Sequence, residues 1–149
     1  RLASTTPGFV AAFDALLPSN GQTVSGLLAA ETEYFDVEAV TSTAAGRSFG
    51  QPSIANATRA LQQRRADIAA DGDHVAIGWI DHARPSVRRV VIRESFDAAR
   101  TFRDEVEASE PMAGDDVDHP AIAVKGSTVA VVFEDARGGS VAIRAALFH

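Results

Sequence analysis

Ser42-Thr43-Ala44-Ala45-Gly46-Arg47-Ser48-Phe49 and Ser95-Phe96-Asp97-Ala98-Ala99-Arg100-Thr101-Phe102 are two degenerate copies of one pattern, 53 residues apart. The shared skeleton is Ser-x-Asp-x-Gly-x-Ser/Thr-aromatic. The first copy keeps the Gly and has lost the Asp; the second keeps the Asp and has lost the Gly. A period of this length marks a repeat architecture. The flanking sequence carries it further. Ala66 to Asp81 aligns with Pro120 to Asp135 at a constant offset of 54, with identities at Ile68/Ile122, Ala69/Ala123, Gly72/Gly126, Val75/Val129, Ala76/Ala130 and Asp81/Asp135. Ile77/Val131 and Trp79/Phe133 are conservative pairs, and the register runs on into Ser86/Ser140 and Val87/Val141.

Each aligned copy reads as two strands around a tight turn. Asp71-Gly72-Asp73 and Lys125-Gly126-Ser127 are hairpin signals, with Gly supplying positive φ. The runs Val75 to Ile80 and Val129 to Phe133 are almost continuously apolar, as in a strand buried on both faces. A third strand is expected over 87–94 and a short polar outer strand near 104–108. The unit is then a four-stranded antiparallel sheet with strands near 65–71, 74–80, 87–94 and 104–108. The next unit starts at His119-Pro120 and ends with Val141 to Phe148, without an outer strand. A more eroded unit precedes both. Its strands are expected near Phe9 to Leu16, Thr23 to Ala29, Phe35 to Thr41 and Ser53 to Ala57, and its second strand lacks the aromatic and terminal Asp of the others. Phe9 to Leu17 also admits a helical reading, because Ala and Leu are good helix formers.

The two Ser-x-Asp-type stretches resemble the Asp-box, or bacterial neuraminidase repeat, of sialidase-like β-propellers. The resemblance implies an all-β fold of four-stranded antiparallel blades. Residues 1–149 would be a single propeller segment of about three blades, over 8–58, 62–109 and 118–149, the last lacking its outer strand. Propellers close with about four to eight blades. The ring within this chain is therefore incomplete, and another chain or further copies of itself would complete it. Two copies making a six-bladed ring is one geometric solution. The resemblance also implies structural roles for Ser42, Gly46, Phe49, Ser95, Asp97, Thr101 and Phe102. The Asp and Ser side chains would bond backbone groups of a turn, and the aromatic would pack into the blade, on the face away from a sialidase active site.

Function on such a scaffold is expected on the opposite loops. These are Asp81-His82-Ala83-Arg84-Pro85, Glu134-Asp135-Ala136-Arg137-Gly138-Gly139 and the acidic connector from Glu110 to Pro120. The ligand-facing candidates are Asp81, His82, Arg84, Glu134, Asp135 and Arg137. Asp81 and Asp135 hold the same repeat position. They either cap their own turns or line a polar ring with Arg84 and Arg137, suited to a sugar or a carboxylate. Asp115, Asp116 and Asp118, with His119, form an oxygen-rich stretch that could offer calcium ligands, although its spacing matches no defined calcium loop. A solvated acidic turn is the simpler reading, and His119 is expected to satisfy backbone groups. No other cofactor is implied.

Composition narrows the classes further. A formal charge of −6 over 149 residues argues against a nucleic-acid partner. The cluster Arg84, Arg88, Arg89 and Arg93 reads as an arginine-bearing strand face with acidic neighbours. There is no cysteine, hence no disulfide or thiolate metal site, and no apolar run long enough for a transmembrane span. The chain begins at Arg1, which suggests that a leader or a longer N-terminal part has been removed. With the family's habits, that points to a secreted or periplasmic protein. Hydrolytic sialidases use an arginine triad, a Tyr–Glu nucleophile pair and an Asp acid/base. The only tyrosine here is Tyr34, with Glu31 and Glu33 beside it in the chain, and no catalytic Arg motif stands near the N-terminus. The expected function is a non-catalytic segment that binds a protein or glycan, or holds an assembly together. The alternative is a fragment or subunit of a sialidase-like glycoside hydrolase whose catalytic residues are completed elsewhere.

Overall fold

The computed structural model describes residues 1–16, 35–43, 46–57, 62–84, 87–109, 116–137 and 139–149; the side chains of residues 83 and 84 are outside that description. Every regular element among them is a strand: β1 Leu2–Thr5, β2 Gly8–Leu16, β3 Phe35–Thr41, β4 Ser53–Ile54, β5 Gln63–Asp71, β6 His74–Arg84, β7 Val87–Ser95, β8 Val106–Glu107, β9 Val117–Lys125, β10 Thr128–Asp135 and β11 Ala142–Phe148. They form three antiparallel sheets, ordered β1-β2-β3-β4, β5-β6-β7-β8 and β11-β10-β9. The all-β expectation holds, and the helical reading of the Phe9 segment gives way to strand β2.

Three two-residue hairpins start the sheets. Thr5↔Gly8, Asp71↔His74 and Lys125↔Thr128 are the closing pairs. Gly72 and Gly126 take φ of 66° and 55°, the left-handed conformation this turn needs. Arg65 and His119, 54 positions apart, also adopt positive φ, at 59° and 49°. Each lies where its sheet's register slips, so one bulge bends the start of β5 and of β9 alike.

The first sheet corrects the sequence reading. Its first strand is β1, ahead of the expected start at residue 8, and Gly8–Leu16 is its second strand. The aromatic thought missing is therefore present. Phe13 stands five residues beyond its hairpin's closing pair, as Trp79 and Phe133 do in theirs. The strand expected over Thr23 to Ala29 lies outside the described residues. The outer strands β4 and β8 shrink to two residues each.

The sheets stack in chain order. Strand β5 lies against β1, β2 and β3, and β9 lies against β5, β6 and β7. Alternation along β6 supplies both faces of the middle sheet. Val75, Ile77 and Trp79 join Val91 in one core with Val10, Ala12, Val37 and Ala39 of the first sheet. Ala76 and Ile80 join Val90 and Ile92 in a second core with Val117, Val129, Val131 and Phe133 of the third. Gly78 faces this second core because β9 leaves it no room. A Cβ there would lie 2.4 Å from Ile122 Cδ1 and 3.2 Å from Ile92 Cγ2. The doubly buried reading is thus realised in β6. In β10 one face is open, and Val132 is 41% exposed.

Candidate functional site

Strand polarity sorts the functional candidates onto two ends of the stack. The hairpin turns and both Ser-x-Asp-type stretches lie at one end. The ends of β6 and β10 and the starts of β5, β7, β9 and β11 lie at the other.

At the first end, Ser95 to Phe102 forms a closed local network. The Ser95 hydroxyl donates to Asp97 Oδ1 at 2.7 Å and accepts from the Ala99 N–H at 2.8 Å. Asp97 accepts from the Arg100 and Thr101 N–H groups at 3.0 and 2.8 Å, and from the Thr101 hydroxyl at 2.6 Å. These bonds, the Thr101 hydroxyl first, hold the Asp97 carboxyl down at about 2. Ala99 occupies the Gly position of the pattern at φ 65°, matching Gly46 at 66°. Phe102 packs against the first core. In the other copy the Ser42 hydroxyl accepts from the Phe9 N–H at 2.8 Å, and Ser42 and Phe49 form a bridge. Phe49 departs from expectation: it is 48% exposed instead of packed inside.

At the opposite end, Asp81 and Asp135 sit at matching strand ends and both are buried. Arg89 clamps Asp81, donating from Nε at 2.7 Å, with Nη2 at 2.6 Å from the same oxygen, and Gln63 donates at 3.0 Å. Arg137 clamps Asp135 with Nε to one oxygen and Nη2 to the other, both at 2.9 Å, and its own N–H caps the same carboxylate at 3.1 Å. The Arg137 hydrogen bonds hold the Asp135 carboxyl at about 2 despite its burial. The Arg137 side chain is only 2% exposed. Both carboxylates therefore close the turn or the sheet of their own loop. Charge-assisted bidentate pairing of this kind fixes geometry. Arg89, placed by the sequence on an arginine-bearing strand face with acidic neighbours, finds one such neighbour in Asp81. Its signal was its place on the neighbouring strand, opposite Asp81.

The more accessible groups at this end are a different set. Glu134 faces His119 Nδ1 at 3.1 Å, and the Arg65 guanidinium donates to His119 Nε2. Arg cannot accept, so His119 is the Nδ1–H tautomer. Arg65 Nε also pairs with Asp118 at 3.0 Å. His82 is half-buried; burial, with Arg88 and Arg64 nearby, pushes its imidazole below the ordinary value. Arg84 pairs through its backbone with Val87. Asp115 lies outside the described residues, as do Glu31, Glu33 and Tyr34. Asp118 is spent on Arg65 and on the His119 N–H, and Asp116 accepts the Ala136 N–H through its carbonyl. Among the described residues no group of three or more His or acidic side chains comes together to hold a metal ion. Of the arginine cluster, Arg93 donates to the Arg103, Ala55 and Phe102 carbonyls, tying the segment between β7 and β8 to the residue that follows β4.

Comparison with protein-family models, curated proteins and solved structures returns no match. Among the described residues no helix is long and apolar enough to cross a membrane.

Proposed function

We propose that this chain is a non-catalytic segment of a β-propeller, and that it works as a binding and assembly module for a protein or glycan. The observation that carries this reading is the burial of Asp81 and Asp135, each closed onto an arginine of its own loop or sheet. A glycosidase needs two carboxyl groups facing each other across a substrate. The two aspartates at the matching strand ends here build the scaffold instead. The stacking of sheets in chain order and the turn chemistry of Ser95 to Phe102 support reading each sheet as a blade, on the pattern of sialidase-like propellers. The ligand surface is then His82, Glu134, His119 and Arg65.

The test is an assay of the assembled protein on a panel of fluorogenic glycosides, sialosides included. No turnover is expected. Turnover that disappears in Glu134→Gln or His82→Ala, with the fold intact by circular dichroism, would establish the hydrolase reading in its place. A glycan array run on the same sample reads the binding side, with retained glycans expected to weaken in those variants.

A further inference from the structure

The chain packs sheet on sheet twice in the same way, and its first and third sheets each leave apolar side chains exposed on the face that the middle sheet buries. Each hairpin presents one set of side chains to the sheet before it. In the second sheet the set is Ile68, Val75, Ile77 and Trp79; in the third it is Ile122, Val129, Val131 and Phe133. The same positions relative to the closing pair in the first sheet are Leu2, Phe9, Ala11 and Phe13. Trp79 and Phe133 are 0% and 4% exposed, whereas Phe13 is 37% exposed. Ile68 is 6% exposed against 59% for Leu2. Among the described residues, no sheet packs on this apolar set of the first sheet.

The third sheet carries the complementary set. The second sheet receives its neighbour on Ala76, Gly78, Ile80, Val90 and Ile92. Register places Ala130, Val132, Glu134, Ile143 and Ala145 at the same positions, with Val132 opposite Ala145 as Gly78 is opposite Ile92. A small–large pair has become a large–small pair, which keeps the receiving volume nearly constant. Val132, Ile143 and Leu147 are 41%, 70% and 64% exposed, and Ala121, Ala123 and Ala145 lie exposed beside them. The face is aliphatic except for Glu134, which lies opposite Ile143 at its edge, at the position of the buried Ile80; an aliphatic face of this kind marks an interaction surface.

We propose that the third sheet of one chain seats the first sheet of a second copy, head to tail, and that two copies close a ring of six sheets. This rests on reading the sheets as blades. The contact is heterologous and closes because six falls within the range in which propellers close. Leu2 of one copy then lies over Val132 of the other, as Ile122 lies over Gly78 within the chain.

Sedimentation velocity tests this. A species of twice the 15.7 kDa chain mass is expected. Val132→Arg and Phe13→Arg are each expected to give a folded monomer. Mixing these two variants is expected to restore a dimer, because one intact pair of faces remains. Since the chain has no cysteine, a Leu2→Cys, Val132→Cys double variant should oxidise to a covalent dimer. A folded wild-type monomer at high micromolar concentration overturns the proposal, as does a dimer indifferent to Phe13→Arg, which would mean that the third sheets pair with each other. If the single chain aggregates, a tandem fusion of two copies carries the test: a soluble monomeric fusion supports the ring, and an aggregating one overturns it. Glycoside turnover by the dimer would remove the binding-module reading and leave the ring standing. A folded monomer that retains a glycan would do the reverse.

Discussion

At the scale of single residues, two aspartates show how much of a carboxylate's behaviour is set by its donors. Asp97 and Asp135 both titrate at about 2, below an unfolded-chain value of about 3.9. The folded state therefore holds fewer protons than the unfolded one between those values. The stabilisation is complete above about pH 4 and is lost as the pH falls to about 2. Carboxyl carbon chemical shifts followed by NMR should show both midpoints near 2, and Arg137→Gln should return Asp135 toward the ordinary range. Midpoints near 4 in the wild-type protein would refute the hydrogen-bond assignment. The sequence made the Asp97 network legible, because its partners lie within six residues. It did not make the Asp135 and Asp81 clamps legible. The residues read as capping their own turns or lining a polar ring with Arg84 and Arg137; Asp135 does cap its turn by accepting the Arg137 N–H, but the side-chain clamps from Arg137 and, across the sheet, from Arg89 on β7 appear only in the structure.

At the scale of elements, the aligned hairpins β5–β6 and β9–β10 were readable because glycine turns and apolar runs coincide in both. The first hairpin was not. Leu2-Ala3-Ser4-Thr5 is short and mixed in character, and its turn, Thr6-Pro7, carries no glycine. Missing β1 gave the Phe9 to Leu16 segment the place of first strand and hid the correspondence between Phe13 and Trp79, while Phe35–Thr41 and Ser53–Ile54 keep their expected third and fourth places. Gly78 shows the converse. A glycine in an apolar strand invites a reading as a bulge, yet β6 pairs regularly with β7 through it, the nearby bulge belongs to β5, and the reason for the glycine is the approach of Ile122 from the next sheet. Gly78→Val should destabilise the fold by about 1–3 kcal/mol through overpacking. Valine stands at the equivalent position of the third sheet, where its cross-strand partner is Ala145 instead of an isoleucine. Denaturant unfolding that shows no loss for Gly78→Val would mean that Ile122 can retreat at little cost.

At the scale of the whole molecule, stability is distributed along the stack. The middle sheet is covered on both sides, while each outer sheet gives one face to solvent. In the Val132→Arg monomer, native-state hydrogen exchange should therefore find the amides of Ile77, Trp79 and Val91 among the slowest, and those of β1 and β11 exchanging through smaller openings. Equal protection across all three sheets would show that the outer faces are covered in solution as well as the inner ones. Neighbouring sheets are also hydrogen-bonded to each other. His74 bridges the Gly126 carbonyl and Glu94 at 2.7 Å each, and Asp14 accepts the Arg65 and Ala66 N–H groups at 2.8 and 3.0 Å.

The small-to-large matching of the sheets gives the stack a direction. A bulky-faced side always meets an accommodating side, so the series reads differently from its two ends. Adding or deleting one whole sheet leaves both terminal surfaces as they were, whereas reversing a sheet would set bulk against bulk. Such a chain can change its length by duplication without inventing a new joint, and the 54-residue period is the natural size of that step.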